Sequence, residues 1–229
     1  VSPGASLKAR IQIAVDHLGY STPKGRPLIA GLSFSLSAGQ IGLITGPNGI
    51  GKSTLLKTLL GETKKTSGTF KLAVPPQSIS YLPQMQNRAF HIPLLLSDIV
   101  AFSNLKKKRP TAVQDSNLFG LLEDHQLALT WNQASGGERQ KALLTMTLLR
   151  TSPLVFLDEP LNHLDAQGKE RLIAVLKDQA KNHGKTILMV SHGDDLAPAL
   201  GEHLVELPLE PYLAEPYLAE PSASYVLNV

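Results

Sequence analysis

Cysteine is absent from the 229 residues, so neither a disulfide nor a thiolate metal site holds this fold, and a reducing compartment fits. No uninterrupted apolar run approaches the ~18 residues needed to span a bilayer. The first residues, Val1-Ser2-Pro3-Gly4-Ala5-Ser6, carry no apolar signal core, and a soluble protein is expected. Aromatic residues make up only 5%, and neither sign of charge dominates: 22 Lys and Arg stand against 19 Asp and Glu, a net +3. The basic run Lys106-Lys107-Lys108-Arg109 lacks the interleaved aromatics that stack on bases. It reads as a solvated loop, with a phosphate or lipid-headgroup contact as the sharper alternative. What is present is apolar material, 42% of the chain, enough for the core of one large α/β domain or a core plus a small subdomain.

The most specific stretch is Gly46-Pro47-Asn48-Gly49-Ile50-Gly51-Lys52-Ser53-Thr54. It fits the phosphate-loop pattern G-x-x-x-x-G-K-[ST], behind the apolar run Ile41–Ile44 and ahead of a helical pattern, Leu55–Leu60. In that context the glycines let backbone N–H groups close around phosphates, and the helix turns its positive dipole end toward them. Lys52 adds a mobile charge, and the Ser53 hydroxyl suits Mg²⁺. A Gly-rich strand-to-helix turn that binds nothing would explain neither the Lys-Ser pair nor the flanking pattern.

Alternation over Leu7–Ile13 and Leu32–Leu36 predicts two half-buried strands, with Tyr20 in the loop between them. After the phosphate loop and its helix, Gly61 is a stop signal and Thr66-Ser67-Gly68 a turn, followed by short strands at Thr69–Leu72 and Ser78–Leu82. Gln84 stands just beyond the second. From about residue 86 the texture becomes helical, with segments at Leu94–Val100, Val113–Leu122 and up to Leu129, so 86–133 reads as a helical insertion. Ser135-Gly136-Gly137 then precedes a helix over Glu138–Arg150; small residues there fit either an ordinary cap or a second phosphate cradle. The apolar run Leu154–Leu157 predicts a strand buried in a parallel sheet, and it ends in Asp158-Glu159-Pro160.

In a doubly wound sheet ligands sit beyond the carboxyl ends of strands, which puts Asp158 and Glu159 on the edge that bears the phosphate loop. An Asp there can hold Mg²⁺ through water, and the Glu can orient and deprotonate an attacking water. A helix over Lys169–Asn182 and a strand over Thr186–Ser191 follow, and His192 at a third strand end is a candidate γ-phosphate donor. The tail repeats Glu-Pro-Tyr-Leu-Ala at 210–214 and 215–219, so 208–229 reads as an appendage to a single domain over 1–207.

Together these residues resemble the nucleotide-binding subunit of ATP-binding cassette (ABC) proteins over about 7–207. In that resemblance Gly46–Thr54 is the Walker A loop, Gln84 the Q-loop glutamine that senses metal and water, and Ser135-Gly136-Gly137-Glu138 the signature. Leu154–Asp158 is the Walker B strand with Glu159 as base, Leu161–Asp165 the D-loop, and His192 the switch histidine. Tyr20 lies 26 positions before Gly46, where family members often place an aromatic that stacks on adenine. The implied fold is α/β: a P-loop NTPase core of mainly parallel sheet flanked by helices, an antiparallel β subdomain and an inserted α-helical subdomain. The implied ligands are ATP and Mg²⁺, held by Gly46–Thr54, Ser53, Gln84 and Asp158. A second cassette is implied as partner, head to tail, each ATP lying between one Walker A loop and the other signature, with Asp165 at that junction.

This chain departs from the family pattern at Ala134, where Leu is usual, at Glu138, at Thr145-Met146-Thr147-Leu148 and in the D-loop Leu-Asn-His-Leu-Asp; none of these removes a catalytic group. Phe90-His91-Ile92-Pro93-Leu94 and Ser97-Asp98-Ile99-Val100 resemble importers of metal ions and iron or haem chelates. That implies an integral-membrane permease gripped by the helical insertion, a solute-binding protein acting through it, and a place on the inner face of the cell membrane. The D-loop and the basic run resemble instead non-transport members that act on ribosomes or nucleic acid, but neither the second cassette nor the long coiled coil of those members reads in these 229 residues. A degenerate cassette that only binds ATP is the third reading, and intact Glu159 and His192 oppose it.

Overall fold

The computed structural model describes residues 10–85, 93–104, 119–191, 196–201 and 204–209. Its centre is a parallel five-stranded sheet. β3 (Ile41–Thr45), β5 (Ser80–Leu82), β6 (Leu154–Asp158), β7 (Thr186–Val190) and β8 (Leu204–Pro208) lie in the order β5-β6-β7-β3-β8. β1 (Ile11–Ser21), β2 (Pro27–Ser37) and β4 (Lys65–Leu72) form a separate antiparallel sheet with β1 in the middle. The expected α/β core with an antiparallel β subdomain is therefore what the chain builds.

Period-2 alternation assigns each central strand two apolar faces. On one side Val155, Leu157, Ile187 and Met189 pack with Leu144 and Leu148 of α4 (Gly136–Leu149) and Leu172 and Leu176 of α5 (Ala166–Lys181). On the other, Leu154, Phe156, Leu188 and Val190 meet Leu55, Leu56 and Leu59 of α1 (Lys52–Leu59) and Ile13, Leu18 and Leu36 of the antiparallel sheet. Each such buried side chain contributes about 1.5–3 kcal/mol, and this double-sided burial is why these strands read as continuous apolar runs. The described part of the insertion carries α2 (Leu96–Ala101) and α3 (Asp124–Leu127), whose Leu96, Ile99, Val100 and Leu127 close a third cluster around Trp131 and Ala142. α6 (Leu196–Leu200) lies between β7 and β8.

Several boundaries differ from the sequence expectation. Thr66-Ser67-Gly68, expected as a turn, lies inside β4, because a bulge in β1 between Asp16 and Gly19 lets the two strands stay paired across this stretch. Phe119–Leu122, the described part of the helix expected over Val113–Leu122, is irregular. Gly61 does stop its helix, with the N–H of Glu62 closing on the Lys57 carbonyl at 2.8 Å. α5 begins three residues before the expected Lys169, because the Asp165 carboxylate caps it and accepts the Gly168 N–H at 3.1 Å. β8 carries the core past the expected boundary: Pro208 pairs with Thr45, and the buried Leu209 donates its N–H to the Thr45 carbonyl. The Pro-Tyr-Leu-Ala repeats, Lys106–Arg109, Phe90–Ile92 and His192 lie outside the described residues. No helix among those described is long and apolar enough to cross a membrane.

Candidate functional site

Register aligns the chemistry. Leu82 pairs with Leu157, Asp158 with Val190, and Val190 with Ile44, so β5, β6, β7 and β3 end together. The segments after them therefore carry Gln84, Glu159 and the phosphate loop along one edge. A cavity of about 520 Å³ opens there, lined by Asn48, Gly49, Gly51, Lys52, Ser53, Thr54, Gln84 and Glu159, with Thr22 and Leu28. The phosphate-loop geometry needs glycine. Gly51 caps α1 at φ 111°, a left-handed conformation that side chains disfavour, and Gly49 at φ 79° has open space where a Cβ would stand.

Lys52 is only 5% exposed and donates to the carbonyls of Gly46 at 2.7 Å and Pro47 at 3.0 Å. Burial pushes its pKa down, and the charges of Glu159 and Asp158 oppose that shift. Ser53 donates its hydroxyl to Asp158 Oδ1 at 2.8 Å across 105 residues of sequence. Burial raises the Asp158 pKa, against the Ser53 hydrogen bond that lowers it; this carboxylate is 2% exposed. A hydroxyl and a carboxylate already in contact, with the Gln84 amide on the same cavity, form the hard oxygen donor set that suits Mg²⁺. Glu159 has a left-handed backbone at φ 52°, its N–H on the Val190 carbonyl at 3.0 Å and its Oε2 accepting from Gln84 Nε2 at 2.8 Å.

The structure thus gathers Asn48, Gly49, Gly51, Lys52, Ser53, Thr54, Gln84 and Glu159 at one cavity, with Asp158 bonded beneath it. It does not bring Ser135, Gly136, Gly137, Glu138 or Asp165 to that cavity. Ser135 and Glu138 form a reciprocal capping box on α4: the Ser135 N–H donates to Glu138 Oε2 at 2.7 Å and the Glu138 N–H to Ser135 Oγ at 3.2 Å. These bonds, the backbone one foremost, hold the Glu138 carboxyl below its usual range.

Tyr20 corrects an expectation. Its ring is fully buried under the loop, 3.2 Å from where a Gly51 Cβ would stand, so it offers no face to an adenine. Burial raises its pKa, and its hydroxyl has no hydrogen-bond partner among the described residues. Tyr20→Phe is therefore expected to leave ATP affinity unchanged and thermal stability equal or slightly higher, since it removes an unsatisfied polar atom. A titration with a fluorescent ATP analogue and a melting curve check this; a weakened affinity would show instead that the Tyr20 hydroxyl reaches the nucleotide. Thr22 and Leu28 line the cavity instead, in and beside the turn where Thr22 Oγ1 accepts the Arg26 N–H. The only sequence signal for them was their nearness to Tyr20.

The family profile described as ABC transporter matches residues 29–162. The chain belongs to the ABC transporter family. It is 36% identical to the zinc import ATP-binding protein ZnuC of Acinetobacter baylyi, over 73% of this chain and 62% of that protein. The ZnuC of Paramagnetospirillum magneticum is 33% identical, with 79% and 68% covered. The chain thus spans about two thirds of the length of these curated relatives. A structure described as a metal-chelate type ABC transporter in an inward-facing conformation superposes with a TM-score of 0.72 at 26% identity, covering 86% of this chain and 80% of that one. A dimeric ATP-binding cassette bound to ADP and Pi has the same ABC ATPase fold, at 22% identity and a TM-score of 0.70, covering 86% and 96%.

Proposed function

We propose that this ABC ATPase domain hydrolyses ATP as one of a head-to-tail pair and thereby drives a membrane permease that imports a metal ion or metal chelate. The observation that carries the ATPase reading is the single cavity in which Lys52, Ser53, Gln84 and Glu159 meet, with Asp158 bonded to Ser53. Phosphoryl transfer to water needs charge stabilisation, positioning and a base, and little else from the protein. Lys52 exchanges its bonds to the Gly46 and Pro47 carbonyls for phosphate oxygens, while the N–H groups of the loop and the α1 N-terminus surround the rest. Ser53, Asp158 and Gln84 would hold Mg²⁺, which when bound supplies charge neutralisation at the phosphates. Glu159 takes a proton from the attacking water.

A γ-phosphate at this cavity would gain further donors from the Ser135–Gly137 end of α4, which does not line it within one chain. The first-turn N–H groups behind Ser135 are a ready anion cradle, and a second copy brings them to the first copy's loop. His192, two residues after β7 in sequence, is the further donor in this reading. Asp165 serves at the same junction while it caps α5. Ser97-Asp98-Ile99-Val100, the described half of the pattern that resembles metal importers, lies within α2, and the relatives named as zinc importers favour that cargo over ribosome or nucleic-acid work.

Purification of the tagged chain from its own membranes tests the coupling. The expected result is an integral-membrane partner and, in vesicles rebuilt with that partner, ATP turnover that rises with zinc or an iron chelate supplied on the opposite side. Ribosomes in place of a membrane protein, or turnover blind to metal, would overturn the transport reading.

A further inference from the structure

Glu159 is gripped twice on one oxygen. Besides Gln84 Nε2, the Asn162 side-chain amide donates to Glu159 Oε2, at 2.5 Å. An sp² carboxylate oxygen has two lone pairs, so two donors on Oε2 from separate segments fix both the rotamer and the plane of the carboxylate. Asn162 also donates its backbone N–H to the Glu159 carbonyl at 3.3 Å, closing a turn around Pro160. The turn is pinned from below: Leu161 and Leu164 are buried, and the buried Gln140 amide of α4 donates to the Pro160 carbonyl at 3.0 Å.

We propose that Asn162 is a positioning residue for the catalytic base, sharing with Gln84 the task of fixing which carboxylate oxygen faces the attacking water. This rests on the reading of Glu159 as that base. The same turn reaches the anion cradle. The His163 carbonyl packs on the first turn of α4, where a Cβ on Gly137 would lie 2.8 Å from it, so only glycine admits the contact. Asn162 therefore stands one residue from the contact with Gly137 and bonds directly to the base.

The test is a set of variants of the full chain with kcat and KM separated. Asn162→Ala is expected to lower kcat roughly 10- to 100-fold through misplacement of the base, with the KM for ATP unchanged. Asn162→Asp keeps size and shape but sets a carboxylate against a carboxylate, and is expected to be slower than the Ala variant; a merely structural role predicts that it behaves like Asn. A second readout needs no turnover: in the nucleotide-free wild-type chain, the Asn162 side-chain amide resonance is expected to move on Glu159→Gln. An Asn162→Ala variant with normal kcat, an Asp variant equal to wild type, or an amide resonance blind to Glu159→Gln would each overturn the assignment. Normal turnover in Glu159→Gln would instead defeat the reading of the base itself.

Discussion

Glu159→Gln is expected to lower ATP turnover about 10³-fold, the scale that a positioned general base supplies, while ATP still binds. The substitution is isosteric, and its amide oxygen still accepts from Gln84 and Asn162, which now hold the carboxylate at 2.8 and 2.5 Å. Lys52, Ser53 and Asp158 keep their contacts, so the groups that bind phosphate are untouched. What is lost is the proton acceptor. Bound ATP then persists, and size-exclusion chromatography with ATP should show a dimer that the wild-type chain forms only transiently. Unimpaired hydrolysis in this variant would remove Glu159 from its role.

Ser135→Arg is expected to abolish both hydrolysis and ATP-dependent dimerisation while ATP binding to the single chain stays within a few-fold of wild type. Ser135 caps α4 through its bonds with Glu138, and an Arg cannot reproduce that box, which costs the helix about 1 kcal/mol. That is too little to unfold the domain, and the capping residue lies outside the Lys52 cavity. The large effect comes from the bulk set in front of the first-turn N–H groups that would receive the partner's γ-phosphate. Equilibrium binding and ATPase assays on the same preparation separate the two; loss of binding in the monomer would show that the cradle acts in cis.

The core strands were legible because they are buried on both faces: Leu154–Leu157 and Ile187–Val190 are unbroken apolar runs, and they fall in β6 and β7 as expected. The phosphate loop was legible because its geometry demands particular residues at fixed offsets. β8 was missed because Glu206 and Pro208 dilute its apolar signal, and an edge strand tolerates both. Tyr20 was misjudged because position in a motif says where a residue lies along the chain, not which way its ring points. In the bulged, twisted β1 the ring turns inward to the core and leaves the cavity to Thr22 and Leu28. Asn162 was legible as part of the D-loop but its bond to Glu159 was not, because that contact closes across a turn whose left-handed residues, Glu159 and His163, no propensity would suggest.

The central claim is that one chain supplies the loop, metal ligands and base, and another supplies the cradle. Mixing the Ser135→Arg and Glu159→Gln chains tests it directly. In a mixed dimer one site joins the intact loop and base of the first chain to the intact cradle of the second, so at most about half of a wild-type dimer's turnover should return. Two inactive proteins that become active together would bear out the shared site; a mixture as inactive as its parts would contradict it.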